Sequence, residues 1–425
     1  MMNTKNYSVK FALFFLILLT GVSFAAAQIV KSSQPRQEKL LNGLKVLLWN
    51  EPTADKVTVK LRINSGAAFD TLDKEGTMAL LGDILFPDES AKEFFREDLG
   101  GSLVVETNYD YIQINATGDA DQVVTILETI AKAVTKPTID KETTAKVRAA
   151  RLEKIKELEK NPSYLADQIV AKRLFGDYPY GKSAEGTSAS LQKIDFADLL
   201  LAKQRFLTAD NATLAVSGSA KPDYVYKAVR QLFGGWEKAD KKIPATFAEP
   251  AAPDTKFFLI KTEINNASEL RFAFRGMARS DKDVYAAQIA ARVLQNRLQK
   301  KDGDKVSLRQ NSYFLPGLIV VKFSDWDKSS LKIAGADVSL PENFLDYVED
   351  LLRPNITADE YETAKSEITK DSNNQNQIDS RLDADTFRLA AKTDAQTTSL
   401  ADAQRVLERW RKEAVVRTLL IKTDA

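Results

Sequence analysis

From Val57 to Ile63 the chain alternates strictly, with Val57, Val59, Leu61 and Ile63 interleaved with Thr58, Lys60 and Arg62. A period of two sends one set to a core and the other to a second face, so the segment reads as a half-buried strand. Gly66 ends it. A helix from Lys74 to Leu85 follows, with Met78, Leu81 and Leu85 on one apolar face, and Pro87 closes it. The same order recurs downstream: Leu270 to Phe274 alternates, Gly276 ends the run, and Asp281 to Leu298 reads as a helix. The two units are spaced by about one domain, which reads as a diverged duplication. A coincidence of ordinary strand–helix units is the alternative. Strands grouped in meanders with helices on one face give an α+β arrangement rather than a doubly wound sheet.

Other segments fill in both units. Leu44 to Trp49 reads as a strand after the Asn42-Gly43 turn. A second helix runs to Leu99 and stops at Gly100-Gly101, and strands follow at Leu103 to Thr107 and Tyr111 to Ala116. Val123, Ile126, Leu127, Ile130 and Val134 mark an amphipathic helix. Asp140 to Lys160 is a charged helix, and another runs from Asn161-Pro162 toward Phe175. Tyr178-Pro179-Tyr180-Gly181 reads as a loop, Thr213 to Val216 as a strand, and a helix leads to Gly234-Gly235-Trp236. Lys241 to Pro253 looks like a linker. Helices are expected over Pro341 to Leu352, from near Thr357 and over Leu400 to Glu413, with a polar loop at Asn373 to Gln377 and a closing strand from Val415 to Ile421.

The chain has no histidine and no cysteine in 425 residues. Histidine is the usual proton shuttle and metal ligand, and cysteine the other strong zinc ligand, so carboxylates, Lys, Tyr, Ser and Thr must carry any chemistry. Without disulfides, packing alone must hold the fold. With 44% apolar residues the chain can bury a large core. The formal charge of +1, without a basic tract, argues against nucleic acid or anionic lipid as a partner. No phosphate-cradling loop or nucleophile elbow is present.

Lys5 and Lys10 precede an apolar run from Phe11 to Phe24 and then Ala25-Ala26-Ala27-Gln28, the pattern of a secretory signal peptide cleaved after Ala27. The run falls short of the roughly 20 residues of a membrane span. An uncleaved anchor is the alternative. The expected organisation is therefore a signal peptide at 1–27, a polar lead-in at 28–38, an N-terminal domain at 39–240, a linker at 241–253 and a C-terminal domain at 254–425. The mature protein is expected outside the cytoplasmic membrane, periplasmic or extracellular, with no span after cleavage.

Several segments, in order, carry a resemblance. They are Leu41-Asn42-Gly43-Leu44-Lys45-Val46, Ser65-Gly66-Ala67-Ala68-Phe69-Asp70, the helix from Gly76 to Phe86, Leu99-Gly100-Gly101, Tyr178-Pro179-Tyr180-Gly181 with Gly186, and Asn211 to Gly218. Together they resemble the insulinase/pitrilysin family of zinc metallopeptidases in its two-domain, processing-peptidase-like subunit form. That implies two homologous α/β roll domains, each a mainly antiparallel sheet with helices on one face. Family members carry His-x-x-Glu-His on the first helix, where positions i and i+4 share a face and grip one zinc while the Glu activates water.

On this chain those positions are Ala79, Gly82 and Asp83. The distal Glu ligand falls near Lys154, with Glu153 beside it. Asp83 with Glu153 or Glu157 could hold only a hard cation such as Ca²⁺ or Mg²⁺; the alternative is an ordinary polar residue on a helix face. No catalytic group, metal or cofactor is therefore expected, and the family mechanism is not.

The resemblance also implies that a peptide adds as a strand to a sheet edge, which needs mainly backbone hydrogen bonds and survives loss of a metal. The matching strand holds Leu103, Val104 and Val105, with Val104-Val105 where the family has Asn-Ala. The second domain of the family supplies an Arg and a Tyr; Arg297, Arg309 and Tyr313 are the candidates here, with structural roles as the alternative. The leading expectation is a non-catalytic subunit that completes the peptide chamber of a zinc-bearing, insulinase-like partner. The alternatives are a standalone peptide- or protein-binding scaffold of the cell envelope, and an altered hydrolase using carboxylates such as Asp83 and Glu106.

Overall fold

The structure, a computed structural model, describes residues 34–239, 247–334, 337–373, 377–389 and 397–423. The expected signal peptide, the first part of the lead-in, most of the Lys-rich start of the linker and the centre of the Asn373–Gln377 loop lie outside the described residues.

The first half contributes β1 (Arg36–Lys39), β2 (Lys45–Asn50) and β3 (Lys56–Ile63), then α1 (Thr77–Asp83) and α2 (Glu89–Glu97). The hairpin of β4 (Ser102–Thr107) and β5 (Ile112–Asp119) follows, then α3 (Val123–Thr135), α4 (Lys141–Glu159), α5 (Pro162–Phe175), α6 (Ser188–Leu191), α7 (Phe196–Phe206), β6 (Ala212–Gly218) and α8 (Pro222–Phe233). The second half holds β7 (Phe257–Thr262), β8 (Ser268–Arg275), α9 (Val284–Asp302), β9 (Val306–Asn311) and β10 (Leu318–Ser324). A small hairpin of β11 (Lys332–Ala334) and β12 (Asp337–Ser339) comes next, then α10 (Glu342–Leu345), α11 (Tyr347–Leu352), α12 (Ala358–Asn373), α13 (Gln377–Phe387), α14 (Leu400–Trp410) and β13 (Val416–Lys422).

The duplication is explicit in the strand orders, β1-β2-β6-β3-β5-β4 and β7-β13-β8-β10-β9. In each sheet one pair is parallel, β2 with β6 and β7 with β13, and the other principal pairs are antiparallel. The sheets are thus mixed but mainly antiparallel, as the α+β expectation requires.

Local chemistry sets the helix starts. Asn161 accepts hydrogen bonds from the Ser163 and Tyr164 amides with Pro162 in the first turn, and Asp140 caps α4 through the Thr143 amide. α1 is shorter than the expected Lys74–Leu85. Gly76 sits at φ 94, a left-handed conformation that glycine adopts freely, and the buried Asp70 carboxylate receives the Gly76 and Met78 amides at 2.7 and 2.9 Å.

Each sheet buries one face under its own helices. Val57, Val59, Leu61 and Ile63 join Ile112, Ile114, Leu214 and Val216 in the first core, while Leu270, Phe272, Phe274, Ile319 and Val321 anchor the second. The other face is not left to solvent, as packing on a single face would imply. α5 of the first half lies on β8 and β13 of the second, where Val170 and Leu174 meet Ala273, Val320 and Val416. Reciprocally, Ile378 and Leu382 of α13 pack on Leu47, Trp49 and Ala215 of the first sheet.

A buried arginine marks each exchange. Arg62, 1% exposed, binds Asp383 of α13 at 2.7 Å, and Arg271, 0% exposed, binds Asp167 of α5 at 2.9 Å. Pro35–Ala425 consequently holds together as one unit.

Two boundaries differ from the sequence reading. The lead-in placed at 28–38 runs into β1, which pairs Arg36–Lys39 with Leu48–Lys45; an edge strand needs backbone partners and no apolar pattern. The part of the linker that is described is docked: Phe247 meets Phe69 and Tyr178, and Arg275 donates to the Ala251 carbonyl. The Tyr178–Gly181 loop is a buried 3-10 turn.

Candidate functional site: an ion-pair cluster in place of a metal motif

α1 and α4 bring the motif positions together. Gly82, Asp83 and Lys154 line one cavity of about 290 Å³ with Val105 of β4 and Arg151 of α4. Its centre is Arg151, one helical turn before Lys154 and only 8% exposed. Its guanidinium grips Asp83 with two hydrogen bonds, Nε to Oδ2 at 2.6 Å and Nη2 to Oδ1 at 2.8 Å. Nη1 binds Glu185 at 2.6 Å, and Lys154 reaches the same Glu185 oxygen at 2.8 Å. A planar fork held by two carboxylates is the geometry that suits arginine. Burial works against the Arg151 charge, but the bonds and charges of Asp83 and Glu185 outweigh it and raise its pKa. Burial also pushes the Glu185 carboxyl up, and Lys154 with Arg151 more than reverses that.

These residues do not fit a zinc ion. Ala79 offers only its backbone carbonyl, at 3.5 Å from Arg151 Nη2, and both oxygens of Asp83 are taken by a cation already in place. Lys154 brings a second positive charge. At Gly82 a Cβ would lie 2.5 Å from Thr107 Oγ1 and 3.6 Å from Val105 Cγ1, so strand β4 occupies the space a general-base side chain needs.

The hard-cation alternative fails as well. Glu153 and Glu157 pair with Lys156 and Lys160, each at 2.6 Å, on the solvent side of α4. Among the described residues no group of three or more acidic side chains could hold a metal.

The candidate peptide residues fall in three places. Among the described residues β4 is an edge strand of its sheet, with Leu103 buried, Val105 half-buried and Val104 47% exposed. Arg309 of β9 pairs with Asp167 at 3.2 Å, and Tyr313 is wedged against Tyr109 and Tyr180 with centroids 5.1 and 4.5 Å away. Arg297 braces α12 through Glu360 at 2.7 Å and the Asn355 carbonyl. In these positions Arg297 braces α12, Arg309 is half-exposed with one ion pair to Asp167, and Tyr313 is packed among aromatic rings. Glu106 lines a cavity with Lys60, Arg62 and Asp383 and has no geometry with Asp83 in a common site.

The residues that sequence reasoning missed are Arg151 and Glu185. Arg151 shares a helical face with Lys154, which is a legible signal. Glu185 lies in a turn and gives none.

Comparison with known proteins agrees with this architecture. Residues 45–188 match the model described as "Insulinase (Peptidase family M16)", and residues 193–368 match "Peptidase M16 inactive domain". The second match lies outside the motif helix and runs from the last elements of the first half into the second half. The uncharacterized zinc protease YmxG of Bacillus subtilis is 23% identical over 338 residues, covering 77% of this chain and 81% of its own. Among solved structures, a peptidase M16 inactive domain from Pseudomonas fluorescens superposes with a TM-score of 0.75 at 20% identity, covering 92% of this chain and 99% of that one. A protease from Helicobacter pylori gives 0.78 at 16% identity, covering 91% and 100%.

At such identities the structural likenesses show the fold: two mixed-sheet halves with packed helices, of the peptidase M16 type. The chain belongs to the insulinase family. Within it, this is a peptidase homologue with a degenerate metal motif.

Proposed function

We propose that the chain is an exported, non-catalytic subunit that completes the peptide chamber of a zinc-bearing insulinase-like partner. The carrying observation is the Arg151 guanidinium, fixed by Asp83 and Glu185 at the motif helix. It leaves no open coordination position from which a metal could activate water. Among the described residues β4 stands at the edge of its sheet, the position at which an extended peptide can add as a strand. The fold also matches 48% of the periplasmic protease PqqL of Escherichia coli at a TM-score of 0.68, and 92% of the separately solved first half of that protein. That likeness supports reading this chain as one half of a two-unit assembly.

The test mixes the purified chain with an insulinase-like protein that has an intact His-x-x-Glu-His helix from the same source. The chain alone is expected to hold no stoichiometric zinc and to cleave no peptide, and addition should raise the partner's peptide turnover. Chelator-sensitive cleavage by the chain alone would overturn the non-catalytic reading. Absence of association at micromolar concentration, with peptide binding retained, would leave the scaffold reading in its place.

A further inference from the structure

A cavity of about 260 Å³ lies between the halves, away from the α1–α4 cluster. Aromatic rings form much of its wall: Phe69 and Tyr109 from the first half, Phe314 from the second. Asp110 at its edge is 9% exposed. The Asp110 carboxylate accepts the Tyr180 hydroxyl at 3.2 Å through Oδ1 and the Phe314 amide at 3.1 Å through Oδ2. Each oxygen keeps capacity for a further donor.

Lys45, at the start of β2, and Arg388, just after α13, also line the cavity. Neither has an ion-pair partner among the described residues, and the neighbouring Asp385 is engaged by Arg381 at 3.3 Å. The wall beside them is closed by the hydrogen bond from Thr386 to Asn64 at 2.9 Å.

We propose that this cavity binds a free aromatic amino acid, with its ring among Phe69, Tyr109 and Phe314, its ammonium toward Asp110 and its carboxylate toward Lys45 and Arg388. Ligand pockets commonly span about 300–1,000 Å³, and a volume of about 260 Å³ suits a ligand of the size of a single amino acid. Aromatic faces favour both a ring and a cation. A charge entering such a space must find an opposite one, and the cavity supplies a buried acid and two unpaired cations. This site is separate from the β4 edge and does not depend on the chamber reading. Because its walls come from both halves, a bound ligand stabilises their union by mass action.

The test is calorimetric titration and thermal unfolding with three probes: L-phenylalanine, 3-phenylpropanoate without the ammonium, and 2-phenylethylamine without the carboxylate. L-Phenylalanine should bind saturably and raise the unfolding temperature, with each truncated probe weaker by about tenfold or more. The double variant Lys45→Met/Arg388→Met alters solvent-accessible side chains and should fold. It should lose about tenfold in L-phenylalanine affinity while binding 2-phenylethylamine as the parent does. Asp110→Asn should show the opposite selectivity, and the double variant decides the matter if Asp110→Asn does not fold. No binding up to about 10 mM, equal binding of all three probes, or an unchanged double variant would overturn the proposal.

Discussion

Asp83 is half-exposed, yet its carboxylate is one of two that neutralise a buried guanidinium. Asp83→Ala removes two charge-assisted bonds and leaves Arg151 with Glu185, which should lower stability by about 2 kcal/mol in urea titration. If the Arg151 side chain alone links α4 to Asp83 of α1, the same titration with a chelator should leave the midpoint of the parent protein unchanged.

Two buried carboxyls give a second residue-level prediction. Burial lifts Asp70 to about 7, against the pull of its two backbone donors, and lifts Asp110 to about 6. Both ordinary values are 3.8, so the folded state holds protons that the unfolded chain releases. Their contribution is complete below about pH 4 and is lost as pH rises through about 6 to 7. Glu360, held at about 2 first of all by the Arg297 bond, acts oppositely: its contribution is present above 4.5 and lost as pH falls. The free energy of unfolding should therefore peak in mild acid and decline toward neutrality, and Asp110→Asn should flatten that decline.

At the scale of elements, the edge strand is where peptide addition can be tested. Val104→Lys places a charge on an exposed position of β4, a device that natural edge strands use against pairing. It should weaken binding of an extended peptide by about tenfold with a stability change within about 0.5 kcal/mol, read by fluorescence anisotropy and by chemical denaturation.

Elements also show why the sequence was only partly readable. Strand β3 alternates because one face meets a core and the other a layer of charge, so periodicity finds it at once. β10 runs Leu318-Ile319-Val320-Val321 because both its faces are covered, and a continuous apolar run carries no period. α13 looks like polar filler, since Asp379 and Asp383 face Lys60 and Arg62 rather than a core. β1 is all polar and exists through backbone pairing alone. The motif positions were legible only through the order of the resembling segments, because Ala79, Gly82 and Asp83 signal nothing by themselves. Arg151 could be placed on the face of Lys154, but its meeting with Asp83, 68 residues away, leaves no local trace.

For the whole molecule, the reciprocal covering by α5 and α13 predicts cooperativity. Arg271→Ala leaves Asp167 to Lys322 and Arg309, and it removes a buried cation that also binds Glu269 at 2.7 Å. It should cost about 3–5 kcal/mol and split a single thermal transition into two, seen by differential scanning calorimetry.

The exchange of helices has one more consequence. Because each half is roofed by a piece of the other, covalent continuity between them is dispensable once folding is complete. A protein nicked between Trp236 and Phe257 should yield two fragments that co-migrate until denatured, and either fragment made alone would present a bare, sticky sheet to its surroundings.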